Sequence, residues 1–485
     1  MKKTKQPKKY LYMILIVCVI AFSTVVLVST FRKTEYNVVL IVVDTLRADH
    51  MSLYGYENMT TPGIDKFSEN AVVFDNAHTA ASWTLPSFAS FLSSRHPRSI
   101  FYLPPGSEGN LLDSSGKSNI FTIIYRNITV LPEVLRENSY NTAAFATLTA
   151  LKIPGFEKGF SAYDTQGMTV DKDPKRTRFM ANGTAKELTR RVTDWIAQNK
   201  GSKFFVMMQY GDVHCPYVPP EEFNIYPPAK GENLSRYNCI FQFDNPNVTV
   251  TKEDVAAIRA AYDGNILYTD HYIGELLQNI KDMGLENNTI VVIMSDHGEE
   301  LADHYDYLSH TESLSQSVAH VPLIIKYPGI KGARINATVG LLDVAPTILD
   351  LLEIPRPGEF EGRSLVPLIE NRETDDRTQV FTAGPHWDMS YRGFALIENK
   401  SKYIEYLDQQ KDELYNLSSD PKEKNNLAGQ ASGKVDEMKS TLLSFVLFYT
   451  EKSMQFAKLV PAGISHNVNN SKGLEDALKN LGYVA

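Results

Sequence analysis

The sequence predicts a doubly wound α/β fold with a mostly parallel sheet, and three features of the 485-residue chain lead there. Continuous apolar runs rich in β-branched residues recur at Val38–Val43, Ala143–Ala146, Phe204–Gln209, Ile290–Met294 and Val321–Lys326. Such runs, bounded by polar residues, read as strands buried on both faces of a parallel sheet. Helical patterns separate them: Ile273, Leu276, Leu277 and Ile280 fall on one helical face. Strands alternating with helices over this length imply a sheet covered on both sides, and the length suits one large domain plus a smaller appendage.

The appendage begins where the pattern changes, near residue 375. Val380–Ala383, Phe394–Ile397, Tyr403–Tyr406 and Asp412–Leu417 read as short strands, and Val435–Phe456 is amphipathic. This predicts a C-terminal α+β subdomain over 376–485, behind a main domain at 37–375. Gly231–Val250 is polar and helix-poor and reads as an exposed loop.

The N-terminus carries a targeting signal. Lys2, Lys3, Lys5, Lys8 and Lys9 precede an uncharged run from Tyr10 to Phe31. That run is long enough to span a bilayer as one transmembrane helix of roughly 20 residues. The basic flank places residues 1–9 in the cytoplasm and the rest of the chain outside, at the cell membrane. The run exceeds a usual signal-peptide core and no small-x-small cleavage site follows it, so an uncleaved anchor over 10–31 is favoured over a cleaved leader. Of the three cysteines, Cys18 lies in the run, and Cys215 and Cys239 lie beyond it, paired or unpaired. Ten N-x-S/T sequons (Asn58, Asn127, Asn182, Asn233, Asn247, Asn287, Asn336, Asn399, Asn416, Asn469) also follow the anchor, as expected of an exterior glycoprotein. The net charge of −8 argues against a nucleic-acid partner, which calls for a basic face.

Ligands of open α/β sheets bind at the carboxyl ends of the strands. Three of the strand runs end in oxygen and imidazole donors: Asp44-Thr45-Leu46-Arg47 after the first, Asp212-Val213-His214 after Phe204–Gln209, and Ser295-Asp296-His297-Gly298-Glu299 after Ile290–Met294. Singly, each reads as a cap or turn; together they suit a divalent cation, Ca, Mg, Mn or Zn. A nucleophile candidate lies in Ser82-Trp83-Thr84-Leu85-Pro86-Ser87-Phe88, where Pro86 marks the start of a helix. Thr84 then lies just before a helix N-terminus, which favours an anionic sulfate or phosphate group. The competing reading makes Ser82 or Thr84 an N-cap only.

These blocks, in this order, resemble the sulfatase family of the alkaline-phosphatase superfamily. Val42–Asp49 resembles its first metal block. Thr84-Leu85-Pro86-Ser87-Phe88 stands where sulfatases carry Cys/Ser-x-Pro-Ser-Arg, with Ser93, Arg95, His96 and Pro97 following. Asp212–Tyr217, Ser295–Glu299, Ser309-His310 with His320–Ile324, Asp343–Thr347, Gly362–Leu365, Glu413–Leu417 and the terminal Leu478–Tyr483 continue the pattern. The resemblance implies an alkaline-phosphatase-like fold and a metallohydrolase of sulfuric or phosphoric esters. Asp44, Asp296 and His297 would bind the metal and Thr84 would be the nucleophile. His214 and His310 would contact the transferred group or protonate the leaving oxygen. Thr45, Arg47, Arg95 and His96 are additional candidates. The substrate implied is a sulfated or phosphorylated small molecule, glycan or lipid.

The chain departs from the family in three places that bear on chemistry, the first at Thr45, where many sulfatases carry a second metal carboxylate. Sulfatases convert the Cys or Ser of the motif to formylglycine, which Thr84 does not fit, and Phe88 replaces the motif arginine. A threonine nucleophile resembles the phosphodiesterases and phospho-head-group transferases of the superfamily. The leading expectation is an ester hydrolase. Its alternatives are a membrane-anchored transferase acting on cell-surface glycans or lipids, and a non-catalytic glycan-binding protein.

Overall fold

The apolar runs form the interior of a sheet because their residues have no polar side chain to leave in water. Asn37–Val43 (β1), Phe204–Tyr210 (β7) and Thr289–Ser295 (β8) are buried along their whole length. Val72–His78 (β2), Asn141–Ala146 (β3), Ala162–Asp164 (β4), His320–Lys326 (β11) and Ala333–Gly340 (β12) complete an 8-stranded sheet in the order β12-β2-β11-β8-β1-β7-β3-β4. Four two-residue strands, Thr169–Val170 (β5), Phe179–Met180 (β6), Glu300–Leu301 (β9) and Leu308–Ser309 (β10), pair outside it. The computed structural model describes residues 35–101, 125, 127–147, 149–165, 169–170, 179–180, 184–227, 251–304, 308–372, 378–383, 393–407 and 411–457. The expected membrane anchor, the polar loop 231–250, the boundary near 375 and the terminal block 478–483 lie outside these residues. Among the described residues no helix is long and apolar enough to cross a membrane.

β1 runs parallel to β7 and β8, β3 runs parallel to β7 and β4, and β12 runs parallel to β2. β11 alone is reversed, antiparallel to both β2 and β8. The Val321–Lys326 run is thus a strand, as expected, but not one of the parallel set. The reversal matters for function: the residues that precede β11, not those that follow it, arrive at the carboxyl edge of the other strands.

Alternation along the strands buries both faces. Val39, Ile41, Val43, Val206, Met208 and Ile293 share a core with Leu188, Val192 and Ile196 of the helix Thr184–Asn199 and with Ile266, Ile273 and Leu276 of the helix Lys252–Asp282. Val38, Leu40 and Val42 point to the opposite face and are equally buried. The fully buried helix Thr84–Ser93 packs against the helices Leu131–Glu137 and Val344–Leu351.

Gln379–Ala383 (β13), Gly393–Glu398 (β14), Ser401–Tyr406 (β15) and Asp412–Asn416 (β16) form an antiparallel sheet, as the sequence pattern suggested. Phe394, Leu396, Tyr403 and Leu414 pack under Val435, Met438, Leu442 and Val446 of the helix Ser432–Ala457. The other face, through Phe381, Ala395, Ile397 and Ile404, meets Leu314, Val318 and Ala319. The small sheet therefore supports the segment between His310 and β11.

That segment also pairs with the chain leaving β8. Gly298 N–H donates to the Val318 carbonyl over 2.8 Å and Glu299 N–H to the Ser317 carbonyl over 3.0 Å. The approach requires glycine: a Cβ on Gly298 would lie 2.0 Å from the Ser317 carbonyl oxygen. Gly298→Ala should lower unfolding free energy by about 1–3 kcal/mol through overpacking. Gly201→Ala, where a Cβ meets nothing within 4 Å, should stay within about 0.5 kcal/mol of wild type. Urea denaturation of both variants checks this, and equal stabilities would contradict the packing argument.

Candidate active site

Register explains why the acidic residues meet. Val43 of β1 pairs with Ser295 of β8 and with Tyr210 of β7, so the three strands end level. Parallel neighbours lie about 4.8 Å apart, and the next residues out of β1 and β8 are Asp44 and Asp296. Both are fully buried, as is His297. One ligand atom from each of Asp44, Asp296 and His297 lies within 4.8 Å of the others. His297 Nε2 is 3.6 Å from Asp44 Oδ1 and 3.5 Å from Asp296 Oδ2.

The hydrogen bonds leave the inward-facing atoms unspent. Gln209 Nε2 donates to Asp44 Oδ2 over 2.9 Å, and His297 N–H donates to Asp296 Oδ1 over 3.0 Å. Asp44 Oδ1 and Asp296 Oδ2 have no hydrogen-bond partner among the described residues. His297 Nδ1 is 2.9 Å from the Gly298 carbonyl and so carries the ring proton, leaving a lone pair on Nε2. Burial, then the charges of Asp296 and Glu299, hold the Asp44 carboxyl well above its usual range. Burial likewise raises Asp296, and burial and His310 keep His297 neutral. Two orphaned carboxylate oxygens and a converging imidazole lone pair fit a divalent cation.

Thr84 enters this cluster from β2. β2 ends at the same edge, and the helix Thr84–Ser93 follows it. The Thr84 hydroxyl lies 3.3 Å from His297 Nε2. Ser87 pins the helix by donating to the Asp296 carbonyl over 2.7 Å. The cap reading fails for both candidates: the capping residue is Trp83, with no side-chain cap bond, and Ser82 donates to the Thr311 carbonyl over 2.6 Å. Thr84 is the first residue of the helix, not the residue before it. Phe88 turns away into an aromatic group, 4.7 Å from Phe91 and 6.4 Å from Phe156 between ring centroids.

Three imidazoles line up at the cluster. The His310 ring lies 4.4 Å from His297 and 5.4 Å from His214. Their second nitrogens are tied differently. His214 Nδ1 donates to the Cys215 carbonyl over 2.7 Å, and burial lowers its basicity. His310 Nδ1 donates to Glu299 Oε1 over 2.9 Å, and Tyr217 donates to Glu299 Oε2 over 2.9 Å. Burial opposes ionisation of Glu299, but His310 and Tyr217 outweigh it and hold the carboxyl below its usual value. Cys215 is disulfide-bonded, and its partner lies outside the described residues.

Other candidates fall differently. Thr45 directly follows Asp44: its hydroxyl is buried with no partner among the described residues, and its backbone has a φ of 56°. Arg47 does not reach the cluster; it grips Asp49 through two 2.8 Å bonds, pairs with Asp303, and donates to the Glu299 carbonyl over 3.1 Å. Arg95 and His96 sit past the far end of the helix, roughly 15 Å along its axis from Thr84. There His96 stacks on Tyr449 at 4.1 Å, and Arg95 faces Glu361 and Glu359. Asp212 is a helix cap: it accepts from Thr184 N–H over 2.9 Å and Thr184 Oγ1 over 2.6 Å. Gln209 and Tyr217 are partners that sequence reading gave no role, and Glu299, read there only as one of the strand-end donors, holds His310 and Tyr217.

Comparison with known proteins agrees with this architecture. Residues 36–354 match the sulfatase family model, and residues 309–446 match the model described as N-sulphoglucosamine sulphohydrolase, C-terminal. An arylsulfatase of Clostridium perfringens is 25% identical over 84% of this chain and 93% of its own length. The phosphonate monoester hydrolase of Silicibacter pomeroyi superposes with a TM-score of 0.69 at 20% identity, over 87% of this chain and 97% of that one. A protein solved with its substrate D-glucosamine-2-N,6-O-disulfate superposes with a TM-score of 0.64 at 18% identity, over 87% of this chain and 98% of that one. With two thirds of its length matching one family model, the chain belongs to the sulfatase family, the sulfuric ester hydrolases of the alkaline-phosphatase superfamily.

Proposed function

We propose that the chain is an extracytoplasmic, metal-dependent hydrolase of sulfate- or phosphate-type esters with Thr84 as its nucleophile. The observation that carries this reading is the Thr84 hydroxyl, 3.3 Å from the Nε2 atom that completes the Asp44, Asp296 and His297 donor set. A divalent ion held there would lower the pKa of the hydroxyl and neutralise charge on the transferred oxygens. The helix N-terminus at Thr84 favours the same anionic group.

The chain's own histidines account for the proton movements at the leaving oxygen and at the attacking water. Thr84 Oγ1, its proton released to solvent, forms a bond to sulfur or phosphorus as the bond to the leaving oxygen breaks. The electron pair passes to that oxygen, which takes a proton from His310 Nε2. His310 suits this role because its Nδ1–H rests on a carboxylate, which fixes the ring and leaves Nε2 to exchange the proton. His214 rests on a carbonyl and stays neutral; its Nε2 accepts from a substrate hydroxyl or from water. In the second half, water attacks the Thr84 ester, neutral His310 takes the water proton, and the Thr84 oxygen leaves.

Glycan and phosphonate substrates of the structural relatives support an anionic ester of a small molecule, glycan or lipid. Threonine at the formylglycine position, with Phe88 withdrawn into the core, favours phosphoryl esters over the usual sulfatase route. The lysine-flanked run from Tyr10 to Phe31 supports a membrane anchor with the catalytic part outside.

Thr84→Ala should lower kcat on the order of 10³-fold or more. Its cost in stability should be about 1 kcal/mol or less. Thr84→Ser should keep part of the activity. Assays on aryl sulfate, phosphate monoester and phosphodiester substrates, run beside melting curves, check this, and an active Thr84→Ala enzyme rules the mechanism out. Removal of residues 1–34 should give a folded protein that stays in solution without detergent, because β1 starts only at Asn37. A truncated protein that sediments with membranes would contradict the anchor.

A further inference from the structure

We propose that Glu299, with Tyr217 behind it, is the positioning residue that orients His310 for proton transfer to the leaving group. The inference rests on the reading of His310 given above. Glu299 is fully buried, and each carboxylate oxygen has one partner: His310 Nδ1 at 2.9 Å and the Tyr217 hydroxyl at 2.9 Å. Its backbone is clamped on both sides. The N–H donates to the Ser317 carbonyl over 3.0 Å, and the carbonyl accepts from Arg47 over 3.1 Å.

A buried carboxylate is costly unless its partners use it. Here the partner is an imidazole whose ring lies 4.4 Å from that of His297, beside the donor cluster. A carboxylate on Nδ1 fixes the tautomer and the ring plane, and so the direction of Nε2. His214 and His297 have carbonyls in the equivalent position. Glu299 therefore singles out one of the three imidazoles. Tyr217 fixes the carboxylate plane, and Arg47 acts on the site through the Glu299 backbone.

The test compares phenyl and 4-nitrophenyl esters of whichever acid the protein hydrolyses. The phenolate of the first needs a proton in the transition state; that of the second scarcely does. Glu299→Gln should lower kcat about 10- to 100-fold on the phenyl ester. KM and metal content should stay near wild type, and the loss should shrink on the 4-nitrophenyl ester. Tyr217→Phe, which keeps the ring, should show the same pattern more weakly. In the His310→Ala background, Glu299→Gln should add little, as expected of residues acting as one unit. Equal losses on both esters, or full additivity with His310→Ala, would overturn the positioning role. If His310→Ala itself shows no leaving-group dependence, the reading of His310 fails and takes this inference with it. If His310→Ala shows it and Glu299→Gln does not, only the positioning role fails.

Discussion

Two carboxylates that face each other inside the protein, Asp44 and Asp296, set the terms for the residues around them. Burying an ion costs several kcal/mol, and here two like charges share one space with an oxygen of each left unpaired. The surrounding hydrogen bonds do not remove that cost. They take the outer oxygens, through Gln209 and the His297 N–H, and leave the inner ones aimed at a common point with His297 Nε2. An arrangement so unfavourable by itself is intelligible as a cation site with a hydroxyl, that of Thr84, at its margin.

The sheet supplies the precision. β1, β7 and β8 end in register, so Asp44 and Asp296 emerge side by side and the turn carrying His214 follows from the next strand. β2 delivers Thr84 to the same edge. The reversed strand β11 does something the parallel strands cannot: it brings the chain that precedes it, with His310, to that edge. The small antiparallel sheet packs against Leu314 and Val318 in this stretch, so the C-terminal part of the chain bears on the site through that packing.

Much of this is legible in the sequence, for physical reasons that also mark where legibility stops. Strands buried on both faces leave long apolar runs, and β1, β3, β7, β8 and β11 were all recognisable. β2 and β12 were not: the first breaks into Asp75 and Asn76 after three apolar residues, and the second is an edge strand whose first half is largely exposed. The direction of β11 is a property of its pairing, which no local pattern carries. Donors at strand ends pointed to Asp44, Asp296 and His297, which the fold brings within 4.8 Å of one another. The same reasoning overreached at Asp212, which caps a helix that begins 28 residues earlier in the chain. Arg47, Arg95 and His96 were candidates because of their neighbours in sequence, whereas Asp303, Glu361 and Tyr449, which they meet in the fold, are distant in the chain. Glu299 was visible in its motif, but its role depends on His310 and Tyr217, which only the fold brings to it.

The central claim is that the Asp44, Asp296 and His297 cluster is a cation site, and metal analysis of the purified protein tests it most directly. The account predicts about one tightly held divalent ion per chain, lost in both Asp44→Asn and Asp296→Asn. A saturating ion should also stabilise the fold, by about 2.7 kcal/mol at a hundredfold excess over Kd, and a chelator should remove that gain. Wild-type protein that carries no ion and melts at the same temperature with or without added metal would contradict it.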